Sequence, residues 1–124
     1  MNNKKENKIL IDSKTFAIRI IKLYKYLIND KQEYILSKQI LRSGTSIGAN
    51  VRESINAQST MDFINKLNIA LKEANETEYW LELLHETDYL SEDQFYSMYN
   101  DCGKIVATLT NIIVTTKNKL KTQK

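Results

Sequence analysis

Residues 42–53 read Arg-Ser-Gly-Thr-Ser-Ile-Gly-Ala-Asn-Val-Arg-Glu and decide how the chain folds. This stretch holds two of the three glycines, two serines, a threonine and an asparagine, a composition typical of a turn. Apolar residues nevertheless run through it at helical spacing: Leu36, Ile40, Ile47, Val51 and Ile55. Because each glycine weakens a helix by ~1 kcal/mol relative to alanine, we predict a helix whose small residues let another helix approach closely. The alternative is two short helices with a break at residues 43–48. We disfavour it because the apolar residues before and after the break keep the same helical spacing.

The composition predicts an all-α protein. Of the 124 residues 42% are hydrophobic and 27% are charged, which is typical of one globular domain. The chain has no proline and only three glycines, whereas several strands joined by tight turns normally need more of both. We expect a single domain over residues 1–124, with an ordered core of about 12–118.

Four amphipathic helices can be placed along the chain. Residues 1–11 look like a polar lead-in, and Asp12 or Ser13 can cap the first helix. The second helix is predicted from Gln32–Tyr34 to about Ala57. Its predicted core face is Leu36, Ile40, Ser43, Gly44, Ile47, Val51 and Ile55. Short connections favour an antiparallel up-down four-helix bundle.

The third helix, capped by Ser59, carries two apolar stripes. The predicted core stripe is Phe63, Leu67, Ala70, Leu71, Ala74, Thr77 and Leu81. The second stripe is Ile69, Trp80, Leu83 and Leu84. A bundle helix needs only one stripe, so we expect the second to contact another subunit; scattered surface apolar residues are the alternative.

The fourth helix has the most regular pattern. Ser91-Glu-Asp-Gln94 matches a capping box, in which each side chain bonds the backbone N–H of the other residue. The predicted core positions are Phe95, Met98, Cys102, Ile105, Leu109, Ile112 and Thr116. Cys102 therefore reads as a buried small apolar residue.

No reaction can be read from the residues. A di-iron bundle needs two Glu-x-x-His motifs, but Glu82-Leu-Leu-His85 uses the only histidine. No metalloprotease, phosphate-loop, dinucleotide or nucleophile-elbow motif is present. We predict a protein that is not an enzyme and that has no metal or cofactor.

A polar flank on the second and third helices is the first candidate site. On the second helix it comprises Ser43, Ser46, Asn50 and Glu53, and on the third Lys72, Glu73 and Glu76, beside Ile69 and Trp80. Charges next to an apolar stripe should be paired there. We hypothesise a hydrogen-bonded network between helices or subunits, with Arg42 or Arg52 as the cation; an ordinary solvated flank is the alternative.

The charge distribution suggests a nucleic-acid partner. Net charge is +3, but residues 1–30 and 101–124 each sum to +4 and residues 31–100 to −5. The candidate phosphate-binding residues are Lys14, Lys22, Lys25, Lys117, Lys119 and Lys121. One subunit with this net charge would bind nucleic acid weakly, and repetition of these residues in a ring of subunits would strengthen the binding. Without a recognition helix or an aromatic strand platform, we expect salt-sensitive RNA or DNA binding with little sequence selectivity.

The single cysteine excludes an internal disulfide and a cysteine-based metal site, and it fits a reducing compartment. No apolar run approaches the ~18 residues of a transmembrane helix, and no signal region follows the N-terminus. We expect a cytoplasmic protein that does not contact a membrane.

Two blocks of sequence carry a family resemblance. The first is Gln39-Ile-Leu-Arg-Ser-Gly-Thr-Ser-Ile-Gly-Ala-Asn-Val-Arg-Glu53, followed by Asp62-Phe63 and Lys66-Leu67. The second is Ala70-Leu-Lys-Glu-Ala-Asn-Glu-Thr-Glu-Tyr-Trp-Leu-Glu-Leu-Leu84. Over about residues 14–118 the chain resembles the bacterial four-helix-bundle family, also called the ribosomal-RNA intervening-sequence protein family because some members are encoded in insertions within 23S rRNA genes.

The resemblance implies an up-down bundle that assembles as a ring-like homopentamer, with no established catalytic residues and a largely uncharacterised function. A related branch, the accessory protein of diversity-generating retroelements, is a basic pentamer that binds nucleic acid and a reverse transcriptase. The first function hypothesis is an oligomeric RNA- or DNA-associated accessory protein. The second is an oligomeric scaffold that binds a protein partner without touching nucleic acid directly.

Overall fold

A computed structural model describes residues 4–122, with side chains from residue 8 onward, and over this range the chain is all-α. Its four helices are α1 (Lys4–Asn29), α2 (Leu36–Ile55), α3 (Thr60–Glu86) and α4 (Glu92–Thr122). The helix predicted through residues 42–53 is continuous, so the reading of that stretch as a turn or break is excluded. The all-α prediction is confirmed.

The helices form an antiparallel up-down bundle, as predicted. Contacts join α1 to α2, α2 to α3, α3 to α4 and α4 back to α1, whereas α1 and α3 lie on a diagonal with no Cα atoms within 8 Å of each other. The connections, residues 30–35, 56–59 and 87–91, are too short to let successive helices run parallel.

The predicted cap of the first helix at Asp12 or Ser13 is wrong, because α1 already begins at Lys4. Ile9 is 2% exposed and extends the apolar face of Phe16 and Ile20 toward the N-terminus. Ser13 is buried inside the helix, and its hydroxyl bonds the carbonyl of Leu10 at 3.3 Å. The cap-like residue therefore serves as a small side chain in a helix contact.

That contact explains the glycines of α2. A Cβ placed on Gly44 would lie 2.6–2.9 Å from three side-chain carbons of Ile20, and one on Gly48 would lie 3.3 Å from the backbone oxygen of Ser13. Both glycines thus face α1 at a separation that a larger residue would not allow. The prediction that the small residues allow another helix to approach closely is confirmed.

The start of α2 lies later than the predicted Gln32–Tyr34, at Leu36. Gln32 has a φ of 55°, a conformation that ends a helix rather than starting one. The buried Glu33 carboxylate accepts hydrogen bonds from the N–H groups of Ile35 (3.2 Å), Leu36 (3.1 Å) and Ser37 (2.6 Å). A carboxylate is favoured at this positive end of the helix dipole, so Glu33 caps α2 from outside the helix.

In α3 the predicted cap is confirmed and the predicted core face is partly wrong. Ser59 Oγ accepts a 3.0 Å hydrogen bond from the N–H of Asp62. The buried residues are Ile64, Leu67, Ala70, Ala74, Thr77, Leu81 and Leu84. Phe63 and Leu71, assigned to the core, are only partly buried, and Leu84, assigned to the outer stripe, is fully buried. The core face is rotated from the predicted one because α3 packs between α2 and α4.

The capping box of α4 is present as predicted, with Gln94 Oε1 2.9 Å from the Ser91 nitrogen and Ser91 Oγ 3.2 Å from the Gln94 nitrogen. Of the predicted core residues, Phe95, Met98, Cys102, Ile105, Leu109 and Ile112 are buried, whereas Thr116 is only partly buried. The Cys102 thiol lies 3.4 Å from the carbonyl of Ala74, and burial raises its pKa to about 12. Cys102 is thus the buried residue that the sequence predicted.

Candidate functional site

A charged cluster joins α2 to α3 where the sequence suggested a polar network. Arg42 Nη1 lies 3.3 Å from Glu73 Oε2, and Arg42 Nη2 bonds Glu76 Oε1. Trp80 Nε1 donates to the same Glu76 oxygen at 3.4 Å. Partial desolvation lowers the pKa of Arg42, but the two glutamates outweigh this effect and leave that pKa raised. The cluster has one cation for two carboxylates and is only partly covered, so it contributes little to stability and keeps a negative surface.

The other polar residues of that flank do not join the cluster. Ser46 Oγ bonds the carbonyl of Arg42 (2.6 Å), and Asn50 Nδ2 bonds the carbonyl of Ser46 (2.8 Å), both within α2. Glu53 pairs with Lys66 at 3.2 Å.

Ser43 is separated from this flank because it is fully buried between α2 and α3. Its hydroxyl lies 2.8 Å from that of Thr77, which also bonds the carbonyl of Glu73 at 2.8 Å. Ser43 therefore satisfies a polar group in the core and has no surface to offer a partner.

The outer stripe of α3 presents apolar side chains beside the Arg42 cluster. Ile69 is 42% exposed and Tyr79 is 53% exposed, while Trp80 and Leu83 are half-buried. The rings of Tyr79 and Trp80 lie 5.3 Å apart. That Ile69, Glu73, Glu76, Trp80 and Leu83 form a subunit interface stays a prediction.

A second acidic site, which was not predicted from the sequence, lies between α3 and α4. Tyr99 donates a 2.9 Å hydrogen bond to Glu82 Oε2; this bond, followed by burial, raises the pKa of Tyr99 to about 12. Burial and the nearby charge of Glu82 raise the pKa of Glu78. The spacing of Glu78 and Glu82, four residues apart within an acidic run, is a signal that could have located this pair.

The bundle has a basic end and an acidic end. Because neighbouring helices are antiparallel, the end of α4 lies beside the start of α1, the end of α2 and the start of α3. Four cations are exposed at this end and form no ion pair with another described side chain: Arg52, Lys117, Lys119 and Lys121. The acidic residues of the opposite end are Asp30, Glu33, Glu86, Asp88, Glu92 and Asp93, against the exposed Lys31 and Lys38.

The six predicted phosphate-binding lysines do not lie on one surface of the structure. Lys117, Lys119 and Lys121 belong to the basic end, whereas Lys22 and Lys25 lie toward the other end of α1. Lys14 stands between the two groups, on the exposed face of α1. Two separate basic surfaces result.

His85, the only histidine, is half-buried and stacks on Phe95 with ring centroids 4.3 Å apart. Among the side chains the structure describes, no group of three or more His, Cys, Asp or Glu residues could hold a metal ion. None of the four helices, over the range described, combines the length and apolar character needed to cross a membrane.

The fold and these surfaces define a small four-helix-bundle protein with charge separated along its axis. The sequence model of the 23S rRNA-intervening sequence protein family matches residues 5–111, and the chain belongs to that family. The resemblance noted from the two sequence blocks is thereby confirmed. No curated protein matches the chain.

A solved relative supports the same fold. The crystal structure of a protein with unknown function from the S23 ribosomal protein family of Bacteroides thetaiotaomicron is 60% identical to this chain. The match covers 88% of this chain and 97% of that one, with a TM-score of 0.87.

Proposed function

We propose that this protein is a non-enzymatic, homo-oligomeric accessory protein that associates with RNA or DNA through the basic end of the bundle. The assembly is a ring, with five copies as the family resemblance implies. The single free, buried cysteine fits a reducing compartment, so the proposal places the protein in the cytoplasm.

The observation that carries the proposal is the concentration of cations without described partners at one end. Arg52, Lys117, Lys119 and Lys121 are exposed there, so each can approach a phosphate without first breaking an ion pair to a described side chain. Each phosphate that they neutralise releases condensed counterions, which makes the affinity fall steeply with salt.

Assembly would turn this small patch into a strong one. Four cations on one copy give a weak footprint, but a closed ring with its bundle axes aligned presents the same end of every copy on one side. Contacts made by one copy then raise the effective concentration of phosphate at the others.

Low selectivity follows from the kind of contact. Lysine is a flexible point charge, and phosphate contacts carry no sequence information. We therefore expect similar binding to unrelated sequences of equal length.

The test replaces three lysines with glutamate in Lys117→Glu/Lys119→Glu/Lys121→Glu and compares binding of fluorescently labelled single-stranded RNA and duplex DNA across a salt series. The control makes the same charge change on other exposed lysines, in Lys31→Glu/Lys38→Glu/Lys72→Glu. We expect at least tenfold weaker binding and a shallower salt dependence for the first variant only. Equal loss in both variants, or no salt-dependent binding by the unaltered protein, would refute the proposal.

The second candidate is an oligomeric scaffold that binds a protein partner without direct nucleic-acid contact. The exposed Ile69 and Tyr79 beside the negative Arg42 cluster favour it, because such a surface suits a partner with apolar and cationic side chains. An unaltered protein that stays assembled but retains no nucleic acid at low salt would favour this candidate.

A further inference from the structure

One exposed surface of α1 combines isoleucines with lysines. Its members, here called the α1 face, are Ile11, Lys14, Ile18, Ile21, Lys22 and Lys25. The isoleucines are 65%, 47% and 40% exposed, although three such side chains on one side of a helix favour burial. Residues 13–29 contain four cationic side chains and no acidic one. The face therefore fits a partner that is apolar and negative.

A second exposed surface, between α3 and α4, has the complementary character. Its members, here called the α3–α4 face, are Leu71, Glu78, Glu82, Tyr96, Tyr99 and Val106. Residues 73–86 of α3 contain five glutamates and no lysine or arginine. Tyr96 is 52% exposed, while Leu71, Tyr99 and Val106 are half-buried, so apolar surface surrounds the two carboxylates.

These two faces cannot satisfy each other within one chain. α1 and α3 lie on a diagonal of the bundle, and no Cα atom of one is within 8 Å of a Cα atom of the other. The ion pairs among described side chains involve none of the three lysines of the α1 face and neither Glu78 nor Glu82. Complementary charges are thus left without ionic partners on two separate surfaces.

The spacing of the charges suits a contact between two helices. Lys22 and Lys25 are three residues apart and Glu78 and Glu82 four, so each pair is separated by about 5–6 Å along its helix. Gly103 leaves open surface beside Glu78: a Cβ added there would lie 3.9 Å from Glu78 Oε2. A lysine of an approaching helix can therefore reach the carboxylate.

We propose that the α1 face of one copy docks on the α3–α4 face of a second copy, with Lys22 and Lys25 paired to Glu78 and Glu82. The contact buries isoleucines against tyrosine and valine and gives the partly desolvated carboxylates cationic partners. The inference rests on the homo-oligomer of the proposed function and assigns the surfaces that build it. It also assigns Lys22 and Lys25 to assembly rather than to phosphate binding.

The contact is heterologous, because each copy contributes a different surface. Repetition of such a contact gives a closed ring when the rotation between copies closes, and an open filament when it does not. Every copy in the ring has one α1 face and one α3–α4 face engaged.

Two charge-reversed variants test the assignment, Lys22→Glu/Lys25→Glu and Glu78→Lys/Glu82→Lys. In each variant the α1 face and the α3–α4 face carry the same sign of charge, so copies of one variant repel each other at this contact. Sedimentation velocity at a concentration where the unaltered protein is assembled should show each variant alone as a monomer. An equimolar mixture should assemble beyond dimers, because Lys22 and Lys25 of one variant can pair with Glu78 and Glu82 of the other, and the reversed charges can pair in the same way. The chain carrying all four substitutions should regain assembly.

The control Lys38→Glu/Lys72→Glu makes the same charge change as the α1 variant at exposed lysines outside both faces and should keep the unaltered mass. Circular dichroism establishes that each variant is folded. A monomeric unaltered protein, unchanged assembly of either variant alone, or a mixture that stays monomeric would overturn the inference. If Lys22→Glu/Lys25→Glu lowers RNA affinity at unchanged mass, these lysines are phosphate contacts and the interface is wrong. Loss of RNA binding with assembly intact in the Lys117→Glu/Lys119→Glu/Lys121→Glu variant leaves the interface supported.

Discussion

Replacement of Gly44 by alanine should destabilise the protein even though alanine is the better helix former. The gain in helix propensity is ~1 kcal/mol. Against it, the new Cβ would lie 2.6, 2.8 and 2.9 Å from Cγ1, Cδ1 and Cγ2 of Ile20, which is fully buried and β-branched. Overpacking of this kind costs about 1–3 kcal/mol, and three close contacts with a stiff side chain place it near the upper value. We expect a net loss of about 2 kcal/mol in the free energy of unfolding.

The decisive measurement is the same substitution in a second background, by urea denaturation at one fixed protein concentration. Ile20→Ala removes all three clashing atoms, although it costs about 2–5 kcal/mol by itself. In that background Gly44→Ala should stabilise the protein by about 1 kcal/mol, so the sign of its effect reverses. A stabilising effect in the unaltered protein, or a loss of the same size in both backgrounds, would refute the close approach of α1 and α2.

Gly103→Ala is the matched control, because this glycine also lies inside a helix. The added Cβ would meet one neighbouring atom at 3.9 Å, which is an ordinary contact. It should therefore show the propensity gain alone, about 1 kcal/mol of added stability.

Three further predictions follow from single contacts. Glu33→Ala should lower the free energy of unfolding by about 1–2 kcal/mol, because three N–H groups at the start of α2 lose their acceptor. In the same denaturation assay, the control Glu86→Ala, at an exposed glutamate, should change the free energy of unfolding little. The Cys102 thiol should react with a thiol reagent at pH 8 only after denaturant is added, since burial raises its pKa to about 12; rapid reaction of the folded protein would contradict its place in the core. The folded pKa of Tyr99, also about 12, exceeds the ordinary value of 10.0. Its hydrogen bond to Glu82 should therefore stabilise the fold fully below pH ~10 and lose this effect as the pH rises through 12. In thermal melts, the stability difference between Tyr99→Phe and the unaltered protein should be constant from about pH 7 to 9 and should shrink at higher pH.

Local sequence patterns predicted where the helices lie more accurately than they predicted which residues of different helices contact each other. The Ser91–Gln94 capping box and the Ser59 cap depend on residues three apart, so they could be read directly from the chain. The start of α1 could not, because Ser13 has the chemistry of a cap and only its burial against Gly48 shows otherwise. The Glu33 cap was missed since its carboxylate reaches the helix from outside the usual cap position.

The candidate site was likewise predicted only in part from the sequence. Arg42, Glu73 and Glu76 were named as members of one network, and the packing of α2 on α3 brings them together. Ser43 carries the same kind of polar group, yet that packing buries it against Thr77 and removes it from the surface. Side-chain type indicates which groups need partners, whereas the rotation of each helix decides which partners are in reach.

The sequence by itself determined four helices, their order, their antiparallel sense and the need for small residues at Gly44 and Gly48, because periodicity, caps and connection lengths are local properties. Only the tertiary structure decided that these glycines face Ile20 and Ser13 and that the C-terminal lysines stand at the end opposite Glu86 and Glu92. It also placed the cations of α1 on a diagonal from the glutamates of α3. These relations join residues distant in sequence, and their distances are set by how four helices share one core, which no local pattern records.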